Sequence, residues 1–452
     1  MLTQLDKARR LARRLGGARG GEFSPAGIPI SRLTSEYGTP LYLYHGELVV
    51  QRVRELHTAL GSDVEVFYSL KANPSLGLCQ IVVGEGCNAE VASAGELLLA
   101  RAAGFAAGDI VFAGPGKTDE ELRLAVREGI FAVNVESLNE IDRLAAFAEE
   151  HGSQAGVGLR VNPVSQLVGS QMRMGGGASQ FGIDEADLDE AVRRVLAYRK
   201  LVLRGVHVYT ATQVFDADAL LRHCSTVLEI GLRVASRAGQ SLEMVDFGGG
   251  FGIPYFENMQ DFDLNRFGRG LQQALSDYRA DSRLEGCRFI LELGRYMVAE
   301  AGLYVTRVVD VKRSQGTTFV VTDGGMNHHI IGTGNFGQVF RKPFPLLNLT
   351  RMEDEPEGGV TVAGPCCTPL DVFGANIPLA TVEVGDLIGV FYSGAYGLSA
   401  SSLRFLSHPT PAEVLLWKGT SHLLRQAGKA HDVLEGQQAL VQEALGTPNE
   451  GR

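Results

Sequence analysis

From residue 64 onward, short β-branched or apolar runs alternate with stretches in which apolar residues recur at helical spacing. The runs fall at 64–68, 88–92, 109–113, 131–135, 155–161, 205–209, 242–247 and 288–291. The helical stretches between them include 95–103, 120–128, 138–150, 185–198 and 217–238. Strands that alternate with helices predict parallel β-structure. Eight units within roughly 230 residues match the size of a (β/α)8 barrel, with a doubly wound open sheet as the competing arrangement.

After residue 300 the texture changes. Runs at 305–312, 318–322, 359–362, 381–382 and 386–392 read as strands separated by turns, predicting a second, mainly β domain. The strand-like segment 40–44 precedes the barrel and is a candidate to join that domain. At the amino terminus Leu2, Leu5, Leu11 and Leu15 share one face, surrounded by Lys7, Arg9, Arg10, Arg13 and Arg14. The expectation is a solvated surface helix; a docking arm for an acidic partner and a transit peptide are the alternatives, the latter opposed by Asp6. The glycine-rich stretch 16–21 reads as a linker. The chain after Pro411 is expected to hold a helical stretch and then fray over 447–452. The predicted organisation is therefore 1–45, helix, linker and strand; 46–300, barrel; 301–420, β domain; 421–452, carboxy-terminal helix and tail.

Composition narrows the function classes. Among 452 residues, 42 are basic and 52 acidic, a formal net charge of −10. That balance argues against a nucleic-acid partner. No uncharged apolar run approaches the ~20 residues of a membrane span, and no secretory h-region is visible. The six cysteines, Cys79, Cys87, Cys224, Cys287, Cys366 and Cys367, form no CxxC pair. Free thiols in a reducing, cytoplasmic setting and no zinc site are the expectation.

In a barrel the chemistry lies where strands end. The first predicted strand ends in Tyr68-Ser69-Leu70-Lys71-Ala72-Asn73-Pro74, so Lys71 is a candidate for burial, and a desolvated lysine loses its charge and becomes a nucleophilic amine. A lysine that snorkels to the rim is the plain alternative. The second strand leads to Glu96 in a first helical turn, where a helix-dipole role is the ordinary one. The fifth delivers Arg160. The sixth gives His207-Val208-Tyr209-Thr210-Ala211-Thr212, and strand alternation puts His207 and Tyr209 on one face. The seventh ends in Asp246-Phe247-Gly248-Gly249-Gly250, whose backbone N–H groups can wrap an anion, though glycine runs also make plain turns. The eighth ends in Glu292-Leu293-Gly294-Arg295-Tyr296, a carboxylate beside an arginine that is often only an ion pair. Singly weak, the set combines an amine nucleophile, a phosphate cradle, an arginine, a carboxylate and an aromatic face. Pyridoxal phosphate, with its aldehyde, phosphate and basic ring nitrogen, calls for that combination.

At these motifs, together with 91–97, 179–183, 364–371 and 394–397, the chain resembles the fold-type III pyridoxal-phosphate decarboxylases. That group holds diaminopimelate and ornithine decarboxylases and, more distantly, alanine racemase. The resemblance runs from about Thr39 to about Ser402. It implies the barrel plus a β domain that takes the early strand, and a homodimer with two composite sites. Lys71 would hold the cofactor covalently, and Glu292 would bond its ring nitrogen. Gly249, Gly250, Thr212, Gly294, Arg295 and Tyr396 would surround the phosphate, with Glu96 and Arg160 on the ring side. Cys367 would enter from the second subunit as general acid.

Three departures bear on the substrate. Tyr209 stands where the family stacks a histidine on the ring. Thr368 replaces the acid that receives a distal ammonium, a bond worth about 1.5–3 kcal/mol. The usual arginine motif for a substrate carboxylate is replaced by Asn327-His328-His329-Ile330-Ile331-Gly332-Thr333-Gly334-Asn335-Phe336-Gly337-Gln338, and Gln180 stands for a customary lysine. His328, Thr368 and Asp371 are the expected substrate contacts. The resemblance therefore implies decarboxylation of an amino acid or amino-acid derivative, including a carrier-protein-tethered or siderophore-precursor substrate. A racemase on the same cofactor and a non-catalytic homologue are the alternatives; Glu292 speaks against the first, and retention of Lys71 and Cys367 against the second.

Overall fold

The computed structural model describes residues 3–164, 172–173, 177–257, 259–278, 280–336 and 342–440. Eight strands, Val64–Ser69, Asn88–Val91, Ile110–Phe112, Ala132–Val135, Ala155–Asn162, Leu201–His207, Met244–Gly249 and Arg288–Leu293, pair in parallel. Pairing of the eighth with the first closes the sheet into a barrel. The open-sheet alternative is thereby excluded. The strands are buried almost throughout, as expected when helices cover the outer face and side chains fill the inside. Phe67, Val111, Ala132, Met244 and Ile290, from five different strands, pack on one another apart from the main core. They plug the barrel interior below the rim.

The helices are delimited by local chemistry. Thr118 and Glu121 form a reciprocal capping box at the start of Asp119–Glu128, and Gly129 ends that helix in the left-handed region. Asp216 caps Ala217–Ala238, whose far end is Gly239. The sixth strand stops at His207, two residues earlier than its apolar run suggests, so Tyr209 belongs to the rim loop.

The β domain is a mixed sheet built on the long strand Gly302–Ser314. Leu41–His45 pairs antiparallel with that strand and parallel with Ala412–Trp417, so the early strand does join this domain. Four expectations fail here. Residues 381–382 form no strand. Where the tail helix is expected, Ala412–Trp417 forms a hairpin with Thr420–Arg425, turned by Lys418 and Gly419, both with positive φ; Ala430–Leu434 is a short 3-10 helix, and residues 441–452 lie outside the described residues. Strand alternation in 412–425 outweighs its helical spacing because the neighbouring edge at Leu41–His45 offers backbone partners. The stretch 16–21 is not a free linker, for it carries the turn of a two-stranded ribbon, Ala18–Arg19 with Glu22–Phe23.

The fourth is the amino-terminal helix, Gln4–Leu15, which is no solvated helix. Ala8, Leu11, Ala12 and Leu15 are buried, and so is Lys7. Lys7 Nζ donates to the carbonyls of Pro254 at 3.0 Å and Met259 at 3.2 Å, and also to that of Phe256. Arg10 and Arg14 reach Asp261 and Glu300. Lys7 and Arg10 thus hold the segment that follows the glycine run, while Arg14 and Arg9 reach Glu300 and Glu355. No helix among the described residues is long and apolar enough to cross a membrane. Gly337, Gln338 and residues 447–452 lie outside the described residues.

Candidate active site

The rim of the barrel holds a cavity of about 290 Å3 lined by Lys71, Glu90, Ala92, Ala113, Gly114, Pro115, Arg160, Phe181, His207, Tyr209, Thr212, Glu292, Arg295, Phe336 and Tyr396. A larger groove of about 880 Å3 lies on the barrel flank between Glu47 and Trp417. Its arginines pair with nearby acids, Arg52 with Glu55 and Arg54 with Glu85, and its one lysine, Lys418, is exposed beside the Trp417 ring. Chemistry rather than size therefore locates the site.

Lys71 sits in the single 3-10 turn Leu70–Ala72 that follows the first strand. Its Nζ donates to both oxygens of Glu90, at 3.0 and 2.9 Å. Burial works to lower the lysine's pKa, but the charges of Glu90 and Glu292 outweigh it and raise the value above that of an ordinary lysine. Lys71 is thus held as an ammonium until a cofactor engages it, not discharged by desolvation as its position suggests. Its Nζ also lies 5.9 Å from the centroid of the Tyr209 ring. Tyr396, at φ +56°, ties the β domain to this turn by donating its N–H to Ala72 O at 2.7 Å.

Glu292 ends the eighth strand almost wholly buried. His207 Nε2 lies 3.2 Å from its Oε2, but not in hydrogen-bond geometry, and Oε1 has no partner. Burial pushes the Glu292 carboxyl up, but His207 and Lys71 pull it further down, to about 2. Asp246 lies in the same cluster; its Oδ1 accepts from Gly248 N at 2.8 Å while Oδ2 has no partner. Burial and the Glu292 charge hold the Asp246 carboxyl well above the usual range, so Asp246 keeps its proton and Glu292 does not. An ionised, orphaned oxygen at the cavity wall fits the ring nitrogen of pyridoxal phosphate.

The phosphate end is equally shaped. A Cβ at Gly249 would lie 1.9 Å from Glu292 O, and one at Gly250, where φ is +101°, 2.4 Å from Ala211 O. Only glycine permits the loop to approach so closely. Arg295 lies 4.7 Å from the Tyr396 ring and 5.8 Å from that of Tyr255, with its Nε buried and unpartnered. Gly294 closes on the lysine turn, where a Cβ would meet that of Ala72 at 2.8 Å. Thr212 lines the cavity beside them. The residues present fit the cofactor.

The structure therefore brings together Lys71, Arg160, Tyr209, Thr212, Glu292, Arg295 and Tyr396, with Gly249, Gly250 and Gly294 shaping their backbone. It keeps others apart. Glu96 caps its own helix, accepting from Ala92 N at 2.8 Å, and does not line the cavity; burial and the nearby Glu90 charge raise its pKa to about 7. His328 is no substrate contact, for its ring is buried in the β domain with Nε2 2.8 Å from Pro409 O, and burial lowers its pKa to about 4. His329 is likewise buried, against Ser393 Oγ at 2.8 Å. Asp371 is also structural, accepting from Met326 N at 2.6 Å and Cys366 N at 2.8 Å. Cys367 and Thr368 lie on that loop, outside the cavity wall, with Cys367 exposed.

Glu90, Glu136, His207 and Asp246 escape the sequence reading as site residues. Each stands in or just after the end of a barrel strand, the same signal that singles out Glu292. Phe181 and Phe336 carry no such signal.

Residues 47–299 match the model of the pyridoxal-binding domain of pyridoxal-dependent decarboxylases. The chain is 38% identical over 411 residues to L-glutamyl-[BtrI acyl-carrier protein] decarboxylase of Niallia circulans, covering 90% of this chain and 96% of that one. It is 30% identical over 390 residues to 2-[(L-alanin-3-ylcarbamoyl)methyl]-2-hydroxybutanedioate decarboxylase of Staphylococcus aureus, covering 83% and 93%. The crystal structure of diaminopimelate decarboxylase from M. jannaschii superimposes with a TM-score of 0.86 at 27% identity, over 95% of this chain and 99% of that one. With the family match spanning the strand ends that carry Lys71, Glu292 and Arg295, the chain belongs to the pyridoxal-dependent decarboxylases.

Proposed function

We propose that this decarboxylase acts on an amino acid whose side chain ends in an uncharged acyl linkage, as in a glutamyl group tethered to a carrier protein. The observation that carries the reading is the cavity wall beyond Lys71. Ala92, Ala113, Gly114, Pro115, Phe181 and Phe336 offer no charge there, and among the described residues the one cation of that wall, Arg160, is engaged by Glu136 at 2.6 Å. A free distal ammonium or carboxylate would be desolvated against that wall without a partner. Thr368 in place of an acid points the same way, as does the carrier-linked substrate in the name of the relative from Niallia circulans.

Bound here, pyridoxal phosphate would supply the electron sink for loss of a carboxylate. The chain's own groups do the rest. Glu292, ionised, would keep a proton on the ring nitrogen by accepting a hydrogen bond from it. Tyr209 and the Lys71 turn border the two sides of the ring space. Arg295 and the glycine loop fix the phosphate, so that orientation is paid for before the reaction begins. Glu90 holds Lys71 Nζ in place as the amine that would hold the cofactor. Cys367 of the partner subunit, in a head-to-tail homodimer, protonates the α-carbon after carbon dioxide leaves. Its exposure and its distance from the cavity wall within one chain support that assignment.

The test compares carbon dioxide release and amine formation, by mass spectrometry, from an L-glutamyl pantetheine thioester, free L-glutamate and diaminopimelate. A preference for the thioester of about a hundredfold in kcat/KM is expected. Preferential turnover of a free diamino acid would overturn the reading.

A further inference from the structure

A second buried charge cluster borders the cavity, and no step of the decarboxylation uses it. It is centred on Glu136, which directly follows the fourth barrel strand. Glu136 Oε1 accepts from Gly114 N at 2.7 Å and Arg160 Nη1 at 2.6 Å, and Oε2 accepts from Gly182 N at 3.1 Å. Its own N–H donates to Glu140 Oε2 at 2.9 Å. Glu140 Oε1 in turn accepts from Lys117 Nζ at 2.7 Å, and Lys117 donates again to Gly114 O at 2.7 Å. All four charged side chains are nearly inaccessible, between 1% and 7% exposed.

The partners of this cluster are informative. Gly114, Arg160 and the Phe181–Gly182 turn belong to three separate parts of the chain, and Gly114, Arg160 and Phe181 all line the cavity. Both the N–H and the C=O of Gly114 are held by charged side chains, at a φ of +127° that favours glycine. The Arg160 guanidinium lies 4.9 Å over the Phe181 ring. One carboxylate therefore sets the spacing of three pieces of wall. Stability alone does not call for such an arrangement, since well-packed apolar side chains serve as well or better.

We infer that Glu136 is a positioning residue that fixes the substrate-side wall and so decides which side chains the enzyme accepts. The inference rests on the proposed reading that this wall faces the substrate's side chain. Glutamine at 136 has one acceptor oxygen for three donors and sets an N–H2 against at least one of them. The wall pieces then separate, while Lys71, Glu292 and the phosphate loop keep their own contacts.

The experiment uses the full-length, cofactor-loaded protein. In Glu136→Gln, KM for the glutamyl pantetheine thioester should rise about tenfold with kcat within about threefold. The ratio of kcat/KM for the thioester to that for free L-glutamate should fall about tenfold. The visible cofactor absorption and the borohydride-trapped adduct at Lys71 should stay as in the parent, and Glu136→Asp should restore part of the ratio. A lower Tm with an unchanged ratio, or a loss confined to kcat, would overturn the proposal. Should Glu136→Gln not fold, Glu140→Gln loosens Glu136 while leaving its Arg160 contact, and an unchanged ratio there counts equally against it. If the parent ignores the thioester, the substrate reading has failed on its own. The wall's role is then read from the same ratio for two amino acids that differ only in side-chain length.

Discussion

Two buried charge clusters border the same cavity and are built oppositely. Around Glu136 each carboxylate oxygen and the Lys117 ammonium has protein partners. Around Glu292, both nitrogens of His207, Oδ2 of Asp246 and Oε1 of Glu292 lack a hydrogen bond. A buried polar atom without a partner is costly, and native folds keep few. The cluster that is complete in itself builds a wall. The one left incomplete is shaped for something the polypeptide does not supply.

The largest effect expected is for Lys71→Ala. It removes the one amine at the rim that faces the incomplete cluster, so borohydride should trap no adduct on the peptide containing position 71, and amine formation should fall by at least about 10⁴. An adduct at full yield elsewhere in the cavity would break the assignment of that cluster to a ring nitrogen. Next comes Glu292→Gln, expected to lower kcat by about 10²–10³. In the cofactor-free protein the same change removes a carboxylate that His207 and Lys71 hold ionised, so it should cost stability, by about 1–2 kcal/mol. Glu136→Gln should cost more, about 3 kcal/mol, because it strands Arg160. Thermal unfolding of the two cofactor-free variants therefore ranks the clusters, and an equal or larger loss at Glu292 would erase the distinction.

The smallest effect concerns Glu96, beside neither cluster. Its pKa is raised from 4.5 to about 7, chiefly by burial and then by Glu90. Between those values the folded state holds a proton that the unfolded chain has released. The contribution of Glu96 to the stability of the cofactor-free protein should thus fall as pH rises from about 4.5 to about 7, by about 3 kcal/mol, and level off above. Glu96→Gln should flatten that slope in denaturant titrations at several pH values.

The rim residues were legible because strand ends announce themselves locally. Lys71, Glu292, Arg295 and the glycine run each follow an apolar run within four residues, and the barrel puts all such positions on one face. Glu90, Asp246 and Glu136 carry the same local mark, but nothing in the chain tells a carboxylate that holds a lysine from one that holds a wall. Lys7 was misread as solvated because its partners are carbonyls some 250 positions away, at 254–259. His328 and Asp371 were misread for a like reason, since neither a ring bonded to Pro409 O nor a carboxylate capping backbone N–H groups leaves any trace in spacing.

By itself the sequence determined the eight alternating units, the second β domain, and the lysine, acid and arginine that line the rim cavity, because hydrophobic period and strand-end chemistry are properties of neighbouring residues. Only the tertiary structure decided which acids have partners and which are left without, that the first helix is buried, and that Cys367 stands apart from the Lys71 cavity in its own chain. Those outcomes depend on who meets whom across the barrel, and burial and hydrogen bonding are settled by partners that lie far apart along the chain.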